Sequence, residues 1–67
     1  MIDIRLKVFR SVAVNLSFTK ASQELFISQP AISKHIQELE KEYNTRLFDR
    51  MGNRIQITRA GQLLLDH

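Results

Sequence analysis

One stretch of the chain, residues 28–43, constrains the fold more than any other. Its first residue, Ser28, is a favourable N-cap, because a serine hydroxyl can accept a hydrogen bond from a free amide of the first helical turn. Pro30 fits a helix only within that turn, where its missing N–H group costs nothing. Apolar side chains then recur at helical spacing, at Ile32, Ile36, Leu39 and Tyr43. The stretch therefore predicts a helix that buries one narrow face.

The opposite face of this predicted helix is small, polar and basic in its first half. At about 100° per residue, the side chains opposite the apolar stripe are Pro30, Ser33, Lys34, Gln37 and Lys41. Residues 28–37 contain Lys34 and no acidic residue, whereas the second half carries Glu38, Glu40 and Glu42. The helix is therefore expected to approach a polyanion by its N-terminal end, with the three glutamates keeping its far half away from phosphate.

The length and composition of the chain limit its possible functions. A chain of 67 residues forms one small domain and buries only about 60% of the surface that its unfolded form exposes, so an enclosed substrate pocket is not expected. The absence of cysteine excludes a thiolate metal site and a thiol nucleophile. His35 and His67 have no partners at ligand or triad spacing, and no glycine-rich phosphate loop is present. We expect neither an enzyme nor a metal or cofactor site.

The distribution of charge is more informative than its sum. The net charge is +3, from ten Lys and Arg against seven Asp and Glu. Outside the predicted helix, positive charge is concentrated in residues 46–59, which hold four arginines and one aspartate. The sequence shows no signal peptide, and its apolar runs are too short to span a bilayer. These features favour a cytoplasmic protein that binds a polyanion and has no membrane partner.

Two further helices are expected before residue 28. Residues 2–15 form an amphipathic helix whose buried stripe is Leu6, Phe9, Val12 and Ala13, with Ile2 one turn earlier. The next helix covers about Thr19 to Phe26, is capped by Ser17 or Thr19, and buries Phe18, Ala21, Ser22 and Leu25. Thr19 and Lys20 at its N-terminus could hold a phosphate, although ordinary capping explains Thr19 equally well. A short helix, a tight turn and an amphipathic helix form a helix-turn-helix unit.

The remaining residues predict a hairpin and a last helix. Asn44 accepts the left-handed conformation that ends many helices. Two short strands, near residues 47–48 and 55–57, flank a turn at Gly52-Asn53, with Arg50 and Arg54 on either side of the tip. Thr58 then caps a helix over residues 59–67. Its three consecutive leucines, Leu63 to Leu65, cannot all face one small core, so at least one should contact another chain or a further part of the protein.

Several of these residues together carry a resemblance to a known family. They are Ser17-Phe18-Thr19-x-Ala21, Leu25, Ser28-Gln29-Pro30-Ala31-Ile32-Ser33, Ile36, Leu39-Glu40, Leu47-Phe48-x-Arg50 and Thr58-x-Ala60-Gly61. In this spacing the chain resembles, over nearly its whole length, the N-terminal domain of LysR-type transcriptional regulators. Three departures are mild: Ser22 stands where a second alanine is usual, Asn44 replaces a glycine, and Lys34 stands where arginine is frequent.

The resemblance implies a fold and a way of binding DNA. The fold is mainly α, a winged helix-turn-helix with a three-helix core, a small two-stranded β wing and the start of a linker helix. The DNA-binding domain covers residues 1–58, with the helix-turn-helix at about 18–37, and the linker helix begins over 59–67. The third helix enters the major groove, while wing residues 49–55 lie on the adjacent backbone or minor groove.

The resemblance also implies partners. Double-stranded DNA is bound at an operator that is an inverted repeat, because the linker helix pairs with its counterpart in a homodimer. In this chain we expect only weak pairing, since residues 59–67 supply part of a helix. A small-molecule effector is bound by a C-terminal domain that this sequence does not include. The protein is expected in the bacterial cytoplasm, associated with the nucleoid when it binds DNA.

The candidate DNA-binding residues combine both lines of reasoning. They are Thr19, Lys20, Ser28, Gln29, Pro30, Ser33, Lys34, Gln37, Arg50, Asn53 and Arg54. Lysine lacks the bidentate fork of arginine, so Lys34 suits a phosphate better than a guanine. Arg50 has an alternative, in which it pairs with Asp49 or a helix carboxylate and braces the wing. A protein-interaction module on the same scaffold is the alternative function, but the polar outward face of the helix over residues 28–43 favours DNA.

Overall fold

The computed structural model describes residues 3–67, and the expectation for Ile2 lies outside them. Within these residues, four helices and one hairpin follow each other along the chain. The helices are α1 (Ile4–Asn15), α2 (Phe18–Leu25), α3 (Gln29–Tyr43) and α4 (Arg59–Asp66), and the strands are β1 (Phe48–Met51) and β2 (Arg54–Ile57). The architecture is the predicted winged helix-turn-helix.

Each helix begins at a side-chain cap. The oxygens of Asp3, Ser17, Ser28 and Thr58 accept hydrogen bonds from the backbone amides of Arg5, Lys20, Ala31 and Gly61. The caps at Ser28 and Thr58 were predicted. For α2 the structure decides between the two candidates in favour of Ser17, so this helix begins and ends one residue earlier than expected.

The first three helices end in the left-handed conformation. Leu16, Phe26 and Asn44 have φ angles of 48°, 57° and 54°. Asn44 was expected there, whereas leucine and phenylalanine carry a steric cost in this region. At the end of α2, the amide of Ile27 donates to the carbonyl of Ser22 at 3.2 Å. This bond closes the tight turn between α2 and α3.

The hydrophobic core lies between α1, α2 and α3 and under the start of the wing. Its buried members are Val8, Phe9, Val12, Ala13, Ala21, Ile32, Ile36, Leu39, Leu47 and Phe48. Two sequence expectations were wrong: Leu6 is 39% exposed and Tyr43 is 47% exposed. In α1 the buried stripe runs through Val8 instead, and Tyr43 is the last residue of α3. Leu6 and Tyr43 line an open apolar groove with Ile4, Leu64 and Leu65.

The wing is an antiparallel hairpin fixed to the helices at its base. Phe48 pairs with Ile57 and Met51 with Arg54, and the turn contains Gly52 at a φ of 63°. The Phe48 ring lies 5.4 Å from that of Phe9, between centroids, and so anchors β1 in the core.

The start of α4 is held against the same region. The Thr58 hydroxyl donates to the carbonyl of Arg46 at 2.6 Å, and the Thr58 amide donates to the carbonyl of Leu47 at 3.0 Å. A Cβ atom on Gly61 would lie 2.4 Å from the Leu47 carbonyl oxygen. Only glycine therefore allows α4 to approach the wing base this closely. No helix within residues 3–67 combines the length and the apolar character needed to cross a membrane.

Candidate nucleic-acid interface

The first half of α3 presents an exposed polar surface. Ser28, Gln29, Pro30, Lys34 and Gln37 are exposed, and Ser33 is half-buried. The first turn of the helix contains no acidic residue. The positive end of the helix dipole therefore lies beside no acidic side chain, which suits an anion. On this helix the exposed aromatic residue, Tyr43, lies at the opposite end.

Ser28 has a structural role in this surface. Its hydroxyl oxygen accepts a hydrogen bond from the Ala31 amide at 3.3 Å, which fixes the first turn of α3. The hydroxyl proton is not consumed by this bond and can still be donated to an external acceptor.

The N-terminus of α2 lies beside the N-terminus of α3. The Gln29 side-chain amide donates to the Thr19 hydroxyl at 3.1 Å. The Ser22 hydroxyl donates to the Thr19 carbonyl at 2.8 Å, a bond back to the preceding helical turn. The structure thus brings Thr19 and Gln29, ten residues apart in sequence, to one point of the surface. Sequence reasoning placed each at a helix start but missed their contact.

All four cations of the candidate site are exposed. Lys20, Lys34 and Arg54 form no ion pair with any residue in the part of the chain that the structure describes. Asn53, at the tip of the wing, is also exposed. These side chains are available for phosphate.

Arg50 is held by an aromatic ring. Its guanidinium carbon lies 4.7 Å from the centre of the Phe18 ring, a cation–π contact between β1 and α2. Asp49 pairs with Arg46 instead, at 3.7 Å. Arg50 therefore does brace the wing, but it does so through Phe18 and not through the carboxylates considered from the sequence. The residue remains exposed.

Glu40 has a role that sequence reasoning missed. One of its carboxylate oxygens accepts hydrogen bonds from the amides of Leu47 and Phe48, at 2.8 and 3.4 Å. Its expected role, to keep the second half of α3 away from phosphate, stays a prediction. Glu40 joins α3 to the base of the wing. The sequence did not distinguish it from Glu38, which also flanks the buried Leu39.

The other two glutamates of α3 lie on its far half, away from the candidate site. Glu42 contacts the Arg5 guanidinium at 3.3 Å, and Glu38 lies 3.6 Å from the Nδ1 atom of His35. Arg5 also bonds to Asp3 at 3.0 Å, and this bond lowers the pKa of the Asp3 carboxyl. The acidic end of α3 is therefore tied to α1, and the acid-free end faces outward.

Glu24 fixes α2 against α1. Its carboxylate accepts hydrogen bonds from the Ser11 hydroxyl and from the side-chain amide of Asn15, each at 2.7 Å. These bonds lower the pKa of the Glu24 carboxyl below its usual range, and the bond from Ser11 has the larger effect. Because α2 carries Thr19 and Lys20, this contact helps to set the position of the site.

Comparison with known proteins decides the family. The family described as "Bacterial regulatory helix-turn-helix protein, lysR family" matches residues 4–62. The chain belongs to the LysR family. All candidate residues of this LysR-type domain lie within the matched range.

Relatives of known sequence or structure agree with this placement. A "Probable RuBisCO transcriptional regulator" of Cyanidium caldarium is 46% identical over 63 residues, which are 94% of this chain and 20% of that protein. The chain spans about a fifth of the length of the curated relatives it matches. The crystal structure of a LysR-family transcriptional regulator from Eggerthella lenta has a TM-score of 0.91 at 42% identity, covering 98% of this chain and 94% of that one.

Several of the similar structures contain DNA. The crystal structure of the complex between the CbnR DNA-binding domain and DNA has a TM-score of 0.90 at 33% identity, covering 98% of this chain and 76% of that one. The winged helix-turn-helix of the LysR-type chain is thus similar in fold to a domain that has been solved on DNA.

Proposed function

We propose that this chain binds double-stranded DNA sequence-specifically, as the N-terminal domain of a LysR-type transcriptional regulator. The observation that carries the proposal is the exposed, acid-free first half of α3, with Gln29, Ser33 and Lys34 on its outward side. A helix of this kind fits the major groove of B-DNA, where base edges can be distinguished. The LysR family and the CbnR complex support the same conclusion.

Base reading is assigned mainly to Gln29. A glutamine carboxamide can pair bidentately with adenine, since its oxygen accepts from N6 and its amide donates to N7. Pro30 and Ser33 lie near enough along the helix to contact the same strand, and Ser33 can donate or accept. Lys34 contacts a phosphate or a base without bidentate geometry.

The start of α2 and the wing contact the DNA backbone on either side of α3. Lys20 and Thr19 at the start of α2 contact a phosphate on one side of the groove, and Gln37 extends the α3 surface. Asn53 and Arg54 at the wing tip reach the neighbouring backbone or minor groove. Arg50, supported by the Phe18 ring, adds a charge at the root of the wing. These contacts supply affinity that depends on salt and not on sequence.

The proposal includes a division of the chain and a twofold assembly. Residues 1–58 are the DNA-binding domain, and residues 59–67 begin a linker helix that pairs with its counterpart in a homodimer. Leu63, which is 64% exposed on α4, supports this assignment because an exposed leucine favours a partner surface. Twofold symmetry then predicts an inverted-repeat operator with recognition helices about 34 Å apart, or a multiple of that distance.

The whole regulator is proposed to act in the bacterial cytoplasm, where a small-molecule effector binds a C-terminal domain. The relatives are transcriptional regulators, which supports regulation and not catalysis as the role of this chain.

Binding-site selection tests the proposal. The 67-residue chain is incubated with a pool of random duplexes, and bound DNA is amplified over several rounds and sequenced. We expect a preferred motif to emerge and to bind more tightly than a scrambled duplex in fluorescence anisotropy at physiological salt. A pool that stays random, with equal affinities for the final and starting duplexes, would contradict sequence-specific binding.

A further inference from the structure

The hydrogen bond between Thr19 and Gln29 links two helices at the candidate DNA surface. The Gln29 Nε2 atom donates to the Thr19 Oγ1 atom at 3.1 Å, and both side chains are exposed. A solvent-exposed glutamine normally samples several rotamers and both orientations of its carboxamide. The partner on α2 restricts this freedom before any ligand arrives.

Thr19 is not required to start its own helix. Ser17 caps α2 by accepting from the Lys20 amide at 3.0 Å. Within the described residues, the hydrogen bond from Gln29 is the one that the Thr19 hydroxyl makes. The side chain at position 19 therefore acts between helices, at a place where local helix formation does not need it.

The two helices share the hydrophobic core through Ala21 and Ile32, and local hydrogen bonds close the turn between them. Phe26 adopts a left-handed backbone with a φ of 57°, and the Ile27 amide donates to the Ser22 carbonyl. The Ser22 hydroxyl in turn donates to the Thr19 carbonyl at 2.8 Å. Ser22 thus bonds to the turn through its carbonyl and to the start of α2 through its hydroxyl.

The bond leaves one N–H donor and the carbonyl acceptor of the carboxamide unused. A glutamine amide has two N–H donors and one carbonyl acceptor. When one N–H is donated to Thr19, the Oε1 atom and the second N–H remain. Adenine pairing in the major groove needs one acceptor and one donor of that kind.

We propose that Thr19 is a positioning residue that presents the Gln29 carboxamide for adenine, and so sets the base preference of the domain. This inference rests on the proposed function, because it requires Gln29 to read a base. Thr19 thereby acts through Gln29, in addition to any contact with phosphate.

The experiment compares three variants on duplexes derived from the selected site. Thr19→Val removes the hydroxyl and keeps the shape, Thr19→Ser keeps the hydroxyl, and Thr45→Val is a matched control at an exposed threonine far from Gln29 in sequence. Each position of the duplex is changed in turn, and the position read by Gln29 is the one at which Gln29→Ala loses its preference. Thermal unfolding confirms that every variant is folded.

We expect Thr19→Val to lower the preference for adenine at that position by about 2- to 12-fold, the cost of ordering one flexible side chain on binding. Thr19→Ser and Thr45→Val should retain the preference. In the double variant, Thr19→Val should not change the preference for adenine beyond the effect of Gln29→Ala alone, because the Gln29 carboxamide that Thr19 positions is then absent.

Two results overturn the inference, and they differ from each other. If Thr19→Val weakens selected and scrambled duplexes by the same factor, Thr19 binds phosphate and positions nothing, while sequence-specific binding stands. If the wild-type chain itself shows no base preference at any position, the proposed function fails and the inference with it.

Discussion

Single hydrogen bonds hold the candidate DNA surface in place. Glu40 shows this most clearly, because one of its carboxylate oxygens accepts hydrogen bonds from the backbone amides of both Leu47 and Phe48 at the base of the wing. These amides are partly buried, and a buried amide without a partner is costly. The position of the wing beside α3 therefore depends on a side chain that does not itself face DNA.

Replacing Glu40 tests this role. We expect Glu40→Ala to lower the free energy of unfolding by about 1–3 kcal/mol, the usual cost of leaving a buried donor unpaired. Chemical denaturation followed by circular dichroism measures the change. Glu38→Ala, at an exposed position on the same helix, is the control and should stay within about 0.5 kcal/mol of the wild type. Equal stabilities for the two variants would rule out the anchoring role of Glu40.

A second residue-scale prediction concerns pH. The pKa of Glu24 is lowered in the folded protein by the hydrogen bonds from Ser11 and Asn15. Ionised Glu24 therefore contributes stability that is fully present above its unfolded-state pKa of about 4.3, and this is lost as the pH falls through the lower folded-state pKa. The side chain is well exposed to solvent, so the effect is small.

The variant Glu24→Gln isolates this charge, since glutamine can still accept both bonds through its side-chain oxygen. The wild type should be the more stable protein at pH 7, and the difference should shrink steadily below about pH 4.3. Urea unfolding at a series of pH values gives the comparison. A difference that does not change with pH would mean that the carboxylate charge has no part in joining α1 to α2.

At the scale of elements, the sequence predicted most boundaries and few of the contacts between elements. The caps at Ser28 and Thr58 and the end at Asn44 follow from local chemistry, so they were predicted. Ser17 and Thr19 are both good caps, and only the direction of the chain entering α2 distinguishes them. Contacts such as Arg50 with Phe18 depend on how β1 packs against α2, which no local pattern encodes.

The wing and α3 are expected to contribute differently to binding. Arg54, exposed and without an ion pair among residues 3–67, should contact phosphate at the wing tip. We expect Arg54→Ala to weaken selected and scrambled duplexes about equally, and to reduce the slope of log affinity against log salt by about one. Anisotropy titrations at several salt concentrations provide both numbers. If the variant and the wild type have the same salt slope, Arg54 does not contact phosphate.

At the scale of the whole molecule, α4 carries an exposed leucine and borders the apolar groove. Leu63 points away from the core, whereas Leu64 and Leu65 pack partly against it. The sequence predicted that the three leucines could not share one core. It did not predict the exposure of Leu6 and Tyr43, because whether an apolar side chain at the edge of a stripe is covered depends on which element crosses it.

We predict that this chain self-associates weakly. The proposed pairing helix α4, Arg59–Asp66, has eight residues, so the area that it can bury in a dimer is small. Sedimentation velocity at micromolar concentration should show mainly monomer. A dissociation constant in the nanomolar range would refute this prediction.

The central claim is that the first half of α3 reads the sequence of DNA through Gln29. The most direct test is competition between selected and scrambled duplexes for the wild type and Gln29→Ala at one salt concentration. We predict that the variant loses preference for the selected duplex by about 1–3 kcal/mol, while its affinity for scrambled DNA is unchanged. An unchanged preference, or an equal loss on both duplexes, would contradict the claim.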